Sequence, residues 1–384
     1  MSLTEVDVAI IGGGPTGTAL ALTLCLHSDL RVAVIEKTAY DNVRVGEHVS
    51  ASLLPLLDYL QIKSSFLADK HRPVRNVSAA WGYGSLSHRS SILNHMGEGY
   101  LLDRQDFDVR LAEEVVGKGG QLYLQTKCVE GEQLEGGGWR LKLERNRQEF
   151  IDLEARFLVD ATGRQARIAK RLGAQLQRYD QLAGVVTFLD FEPGTVGEER
   201  LQAGEVLVES VPQGWWYSAW LPGDRLVIAL MTDIDIIRRL SLHRDKGWVQ
   251  QLSQAPHSRD RARDGFMTAP LTVRPAQSQK LDCAVGEDWI AIGDAAAAFD
   301  PLSSMGIGHA MTCGCDVGVT LINHLNGSAT YSKRGNGLHH YQKVLEQNFQ
   351  SYLTLKESYY GLEKRWQDSP FWQRRSPQYT QAAS

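Results

Sequence analysis

Residues 6–36 read VDVAIIGGGPTGTALALTLCLHSDLRVAVIE. Val6 to Ile11 is a short apolar, β-rich run, and Gly12 to Gly17 breaks it. Ala19 to Leu26 resumes with helix formers, and Arg31 to Ile35 is a second β-rich run closed by Glu36. This succession predicts strand, tight turn, helix and strand, in about the thirty residues that a β-α-β unit needs. The turn carries Gly12-x-Gly14-x-x-Gly17. In a dinucleotide site the first glycine makes the turn, the second admits a pyrophosphate to the backbone, and the third packs the helix on the sheet. Pro15 and Thr16 open that helix, whose free N–H groups and positive dipole end suit phosphate. Glu36 stands where a carboxylate accepts from ribose hydroxyls.

Beyond this unit the pattern changes. Tyr123 to Leu158 alternates in short runs, with Gly136 to Gly138 and Arg145 to Gln148 as turns, which predicts a small antiparallel meander. Phe157 to Val159 then leads into Asp160-Ala161-Thr162-Gly163. Residues 183–233 hold four more β-rich runs, with Pro222-Gly223-Asp224 turning the last two, and predict a sheet able to carry a substrate. Ile237 to Asp264 is polar and reads as helical. Trp289 to Ile292 returns as a buried strand, followed by Gly293-Asp294 and a small-residue helix; Cys313 and Cys315 are expected to pack in a later helix, after residues 300–309. Past Gly335, the apolar residues Tyr341, Leu345, Phe349, Tyr352, Tyr359 and Leu362 recur at helical spacing. The tail from Phe371 is expected to fray, and His339 and His340 to face solvent.

The 384 residues allow two or three domains. With 41 Lys+Arg against 45 Asp+Glu, the chain lacks the basic surplus of a nucleic-acid binder. No run reaches the eighteen or so apolar residues of a membrane span. The opening residues carry acids where a signal peptide carries Lys or Arg. Five scattered cysteines suit reduced thiols, and Cys313-x-Cys315 is too tight for a redox or zinc CxxC. The expectation is a cytoplasmic protein without a metal.

With Gly12-x-Gly14-x-x-Gly17, Asp160-Ala161-Thr162-Gly163 and Gly293-Asp294-Ala295-Ala296 in this order, the chain resembles the FAD-dependent aromatic hydroxylase superfamily, of the p-hydroxybenzoate hydroxylase type. The resemblance spans about residues 5–320. It implies an α/β (α+β) protein: a glutathione-reductase-type Rossmann FAD-binding domain, an antiparallel β-sheet substrate domain and C-terminal helices. On this reading residues 1–75, 100–178 and 278–335 form the discontinuous FAD domain. Residues 76–99 and 179–277 form the substrate domain, and 336–384 the helical segment. Asp160 and Gly163 then lie near the phosphates, Gly293 and Asp294 at the ribityl chain, and Arg104 beside the cofactor. Asp300-Pro301-Leu302-Ser303-Ser304-Met305-Gly306-Ile307 would wrap the flavin ring, with Gly306 and Ile307 presenting amides to its pyrimidine edge.

Arg44-Val45-Gly46-Glu47-His48 resembles the R-x-G-E segment of the flavin-dependent halogenase branch. That branch uses a lysine to receive hypohalous acid. Here His71 to Gly84 offers Arg72 and Arg75 and no lysine, and arginine stays protonated. The W-x-W-x-I-P pattern of halogenases is altered too, with Tyr217 and Ala219 at its tryptophan positions. Both departures favour oxygen insertion through a flavin C4a-hydroperoxide. The GWWYSA segment resembles flavoproteins that modify a partner's tryptophan while cysteine tryptophylquinone matures in amino-acid or amine oxidases. The expected substrate is therefore an aromatic ring, an indole, free or in a quinoprotein oxidase precursor. One fingerprint serves one dinucleotide, so NAD(P)H must bind transiently or a flavin reductase must supply the electrons. A halogenase, a maturation chaperone without turnover and a reductase of isoprenoid chains are the alternatives on this fold. Glu47, His48 and His309 are candidate acids or bases, and Trp215, Trp216, Tyr217 and Trp220 candidate substrate contacts.

Overall fold

The computed structural model describes residues 3–90, 98–192, 194, 196, 205–327 and 337–376. The predicted unit forms as strand Thr4–Ile11, helix Pro15–His27 and strand Val32–Ile35, the two strands parallel. Thr4–Ile11 also pairs in parallel with Glu149–Asp160, which places Ile11 beside Asp160. Trp289–Ala291 lies parallel to the far end of that long strand. Three distant segments thus lay their strand ends side by side, and the loops that follow those ends meet at one edge.

The meander differs from its reading at one end. The run after Leu122 is broken at Gln125, which takes a left-handed φ of 52°. Gln121–Tyr123 consequently joins the parallel sheet against Val32–Ile35. The antiparallel part is Thr126–Gln133, Trp139–Arg145 and the beginning of Glu149–Asp160.

A second sheet of eight strands contains the four expected runs, at Leu182–Asp190, Val206–Val211, Gly214–Leu221 and Arg225–Asp233. Asn76–Ala80 and Ser87–Ser90 extend it at one edge. Along Gly214–Leu221 successive side chains take opposite faces. Trp215 and Tyr217 point to one side. Trp216 packs edge-on to Trp248 at 5.1 Å, and Trp220 lies 5.1 Å from Phe191, on the other. The expectation that all four aromatics contact substrate is therefore corrected for Trp216 and Trp220, which fill the core, Trp216 against helix Asp245–Leu252 and Trp220 against Phe191 and Arg261.

At the end of the chain, helix Gly337–Gly361 buries Leu345, Phe349 and Tyr352, as its spacing predicts. The stripe then shifts: Tyr360 is buried, whereas Tyr359 and Leu362 are exposed. The expected fraying is also overturned as far as Ser376. Phe371 is fully buried, and Trp372 donates from Nε1 to the Val211 carbonyl at 2.9 Å. The rest of the tail, 377–384, lies outside the described residues. Among the described residues no helix is long and apolar enough to cross a membrane.

Helix Pro15–His27 is buried on nearly every side because helix Gly306–Leu325 lies directly against it. Gly314 makes the contact possible. A Cβ there would stand 2.5 Å from the Thr16 carbonyl oxygen and 2.9 Å from the Leu20 nitrogen. Both obstacles are backbone and cannot swing away. Gly314→Ala should therefore push the two helices apart and lower stability by about 2 kcal/mol, as overpacking does. Urea unfolding checks it, and an unchanged midpoint would contradict the packing described.

Candidate functional site

One cavity of about 410 Å³ runs from Gly14, Pro15 and Thr16, past Glu47, His48 and Arg104, to Trp215 and Tyr217 of the second sheet. Its wall is built almost entirely from loops at strand ends and from one face of that sheet.

The first end is backbone. Gly14 caps helix Pro15–His27 without any side-chain partner, and a Cβ on it would meet nothing within 4 Å. The helix therefore opens with unfilled N–H groups toward the cavity, which suits an anion. Glu36 does not line the cavity but sits behind it, buried. Its carboxylate accepts from the Gly13 amide at 2.9 Å and from Thr38 Oγ1 at 2.6 Å. Arg44 stands back as well, joined to Glu36 at 3.5 Å and to Asp108 at 2.7 Å. Arg104 does reach the cavity; it shares the buried Asp108 at 3.0 Å and donates to the Val45 carbonyl at 2.6 Å. Asp108 thus ties the loop of residues 44–47 to helix Arg104–Gly117.

Asp160 has a different place from the one the resemblance implies. It is fully buried and accepts from the amides of Thr162, Ile168 and Ala169 at 2.8–2.9 Å. Both of its oxygens serve these amides, so it positions Ala161 and Gly163, which line the cavity, without lining it itself. Gly293 is similarly a packing position: a Cβ would lie 2.3 Å from Thr16 Oγ1. Asp294 lines the cavity, with Arg164 Nε 3.6 Å away.

The other end is the loop from Asp300. Pro301 and Ser303 bound a short 3-10 turn, and Ser304 adopts a left-handed φ of 52°. Met305 then caps helix Gly306–Leu325, again with no side-chain partner, and Gly306 and Ile307 line the cavity. Two helices thus begin, uncapped, at the same space. Met305 itself packs away from it.

Among the candidate acids and bases, Glu47 stands out. It lines the cavity at 2 % exposure, and its Oε1 has no hydrogen-bond partner. Burial raises its pKa to about 7, against the opposing pull of Arg104. His48 also lines the cavity, and burial lowers its pKa, favouring the neutral ring. His309 does not line it: its ring stacks edge-on to Phe299 at 4.9 Å. That contact corrects its candidacy as a proton donor to the site.

Sequence reasoning missed several lining residues. Arg164 directly follows the Gly163 turn and donates to the Gln277 and Phe299 carbonyls at 2.6 Å each. The chamber beyond Glu47 is walled by Val186, Val206, Val208, Val227 and Ala229. Strand alternation could have identified that face, once it was known which face turned inward.

The arrangement fits FAD. Two uncapped helix starts open on the cavity and would suit a pyrophosphate and a flavin edge, Gly14 leaves room for close approach, and the arginines supply positive charge. Comparison with known proteins agrees. Residues 5–343 match the model of the FAD binding domain family. LodB of Marinomonas mediterranea, assigned as an FAD-dependent oxidoreductase, is 34% identical over 96% of each chain. Among solved structures, the myxobacterial chondrochloren halogenase CndH superposes with a TM-score of 0.87 at 16% identity, covering 99% of this chain and 88% of that one. QhpG, a peptidyl tryptophan dihydroxylase essential for tryptophylquinone cofactor biogenesis, does so at 0.74 and 24% identity, covering 97% and 79%. The chain belongs to the FAD binding domain family and is an FAD-dependent oxidoreductase with the fold of its halogenases and hydroxylases.

Proposed function

We propose that the protein is a monooxygenase that inserts oxygen into an indole ring, and that the ring is a tryptophan of a partner protein, the precursor of a tryptophylquinone oxidase. The observation that carries this reading is the chamber lining. Its wall is aliphatic, and the cations that the described lining offers are Arg104, Arg164 and Arg274. A guanidinium stays protonated and cannot be the amine that a halogenase requires. Tyr217, at a halogenase tryptophan position, faces the same space, flanked across the sheet by Val208 and Ala229. Likeness to a peptidyl tryptophan dihydroxylase supports a protein-bound substrate.

FAD, when bound and reduced by NAD(P)H or a flavin reductase, supplies the activation of oxygen. This chain supplies the rest. The opening amides of helix Pro15–His27 would hold the pyrophosphate, and those of Gly306 and Ile307 would stabilise negative charge at the flavin edge. Val186, Val206, Val208 and Val227 exclude water and give an aromatic ring an apolar wall to pack against. Glu47 Oε1, bare and buried, takes the proton that the ring releases on substitution, since a carboxyl poised near neutrality accepts and returns protons. Neutral His48 is the second polar group beside it.

Two outcomes test this. Incubated with the oxidase precursor, reduced FAD, oxygen and bromide, the protein should add oxygen to a precursor tryptophan, read by mass spectrometry of its peptides. Bromination, or an unmodified precursor, would contradict the proposal. The second concerns Glu47. Its carboxyl titrates near 7 when folded and near 4.5 in its ordinary state, so the folded chain holds the extra proton between those values. Stability from this group is complete below 4.5 and is lost as pH rises through 7. Glu47→Gln should therefore gain roughly 3 kcal/mol relative to wild type between pH 4 and pH 8 in urea unfolding. A pH-independent difference would remove Glu47 from the proton role.

A further inference from the structure

The loop that lines the flavin end of the cavity has a second side. Behind it lies another cavity of about 370 Å³, whose lining includes Tyr360, Lys356, Asp180, Leu353 and Arg375. The two cavities have no lining residue in common. Two hydrogen bonds at Tyr360 bridge them, one from Trp215 and one to Asp300. Tyr360, on the outer cavity, donates from Oη to Asp300 Oδ2 at 2.8 Å, and Asp300 lines the FAD cavity.

The direction of that bond is fixed. Trp215 Nε1 stands 3.0 Å from Tyr360 Oη, and an indole N–H can only donate. Tyr360 therefore accepts from Trp215 and aims its own hydrogen at Asp300. Both members are buried, Asp300 completely and Tyr360 at 2 % exposure. The charged groups facing the pair come from every neighbouring element. Lys356 on the C-terminal helix pairs with Asp180 and donates to Ser278 Oγ at 2.9 Å; Ser278 in turn bonds Tyr352 Oη at 2.7 Å. Tyr352 Oη accepts from the Asp300 amide at 2.7 Å, and the Arg375 guanidinium lies 5.2 Å from the Tyr360 ring. Burial and Asp180 raise the Asp300 carboxyl, with Lys356 opposing them, while burial and Asp300 push the Tyr360 phenol well above its ordinary range. The phenol thus stays a donor, and the carboxyl stays able to take up a proton.

We propose that Asp300 and Tyr360 form a proton conduit between the outer cavity and the FAD cavity. In one passage the Tyr360 O–H proton passes to the Asp300 carboxylate as its Oη takes another from a water in the outer cavity, so that no phenolate forms. Asp300 then releases its proton on the FAD side, and both groups return to their starting states. One proton crosses, O–H bonds alone are exchanged, and no electron moves. Reduction of a flavin takes up protons, and Asp300 stands on the loop that lines this cavity. The conduit serves that demand whichever ring the enzyme oxidises.

Two variants test it. Tyr360→Phe keeps the ring and removes the hydroxyl; Leu353→Trp fills the outer cavity and leaves the hydrogen-bonded pair intact. Bound FAD is reduced by a light flash in weakly buffered solution with an indicator dye, free FAD giving the baseline, and FAD affinity is measured by fluorescence titration. Both variants should retain FAD affinity and slow proton uptake by about a hundredfold, the loss typical of a removed proton donor. Uptake at the wild-type rate in either variant overturns the proposal. So does lost FAD affinity with unchanged uptake in the loaded fraction, since the pair would then merely pin the loop. If Tyr360→Phe does not fold, Leu353→Trp decides alone.

Discussion

The close approach of two helix backbones organises this protein. Gly314 allows helix Gly306–Leu325 to lie against the carbonyl of Thr16 and the amide of Leu20 without a side chain between them. Because of that contact, two helix starts open on one cavity, at Gly14 and at Gly306. Each end is uncapped, so each brings unfilled amides and the positive end of a dipole to the same space. A cofactor with a pyrophosphate at one end and an electron-accepting ring at the other matches that pair of fields. Pushing the helices apart would disturb both ends at once, which makes the contact a functional constraint as well as a packing one.

Around this frame the protein spends charge sparingly and buries it in pairs. Asp108 holds both Arg44 and Arg104 and so fixes the loop that carries Glu47. Asp160 spends its oxygens on three amides of the neighbouring turn. Against this background of satisfied carboxylates, Glu47 with its bare Oε1 and the raised carboxyl of Asp300 differ in kind. A buried acid whose carboxyl is raised by desolvation is held ready to exchange a proton, Glu47 with one oxygen bare and Asp300 with a phenol as one of its partners. The two acids lie at different parts of the cavity, one in the loop that meets the chamber and one in the loop that meets the flavin end.

Much of this was legible in the sequence because backbone chemistry leaves local marks. The glycine turn, Asp160 after its strand and the loop from Asp300 are each readable within ten residues, and the strands before the first two lie side by side in one sheet. Trp216 and Trp220 were misread because period-two alternation assigns alternate residues to opposite faces without saying which face is inward; that depends on helix Asp245–Leu252, which supplies Trp248. The tail was misread because its order comes from long-range contacts, such as Trp372 with Val211, that polar local composition conceals. Tyr360 is readable as part of a C-terminal helix, but its hydrogen bonds are not, since its partners lie 60 and 145 residues away.

The central claim is that the reaction inserts oxygen from dioxygen into the ring. Turnover under isotopically labelled dioxygen in ordinary water, followed by mass analysis of the product, tests this most directly. The account predicts heavy oxygen bonded to the indole. Product carrying only oxygen from water, or product formed equally well without oxygen, would contradict it.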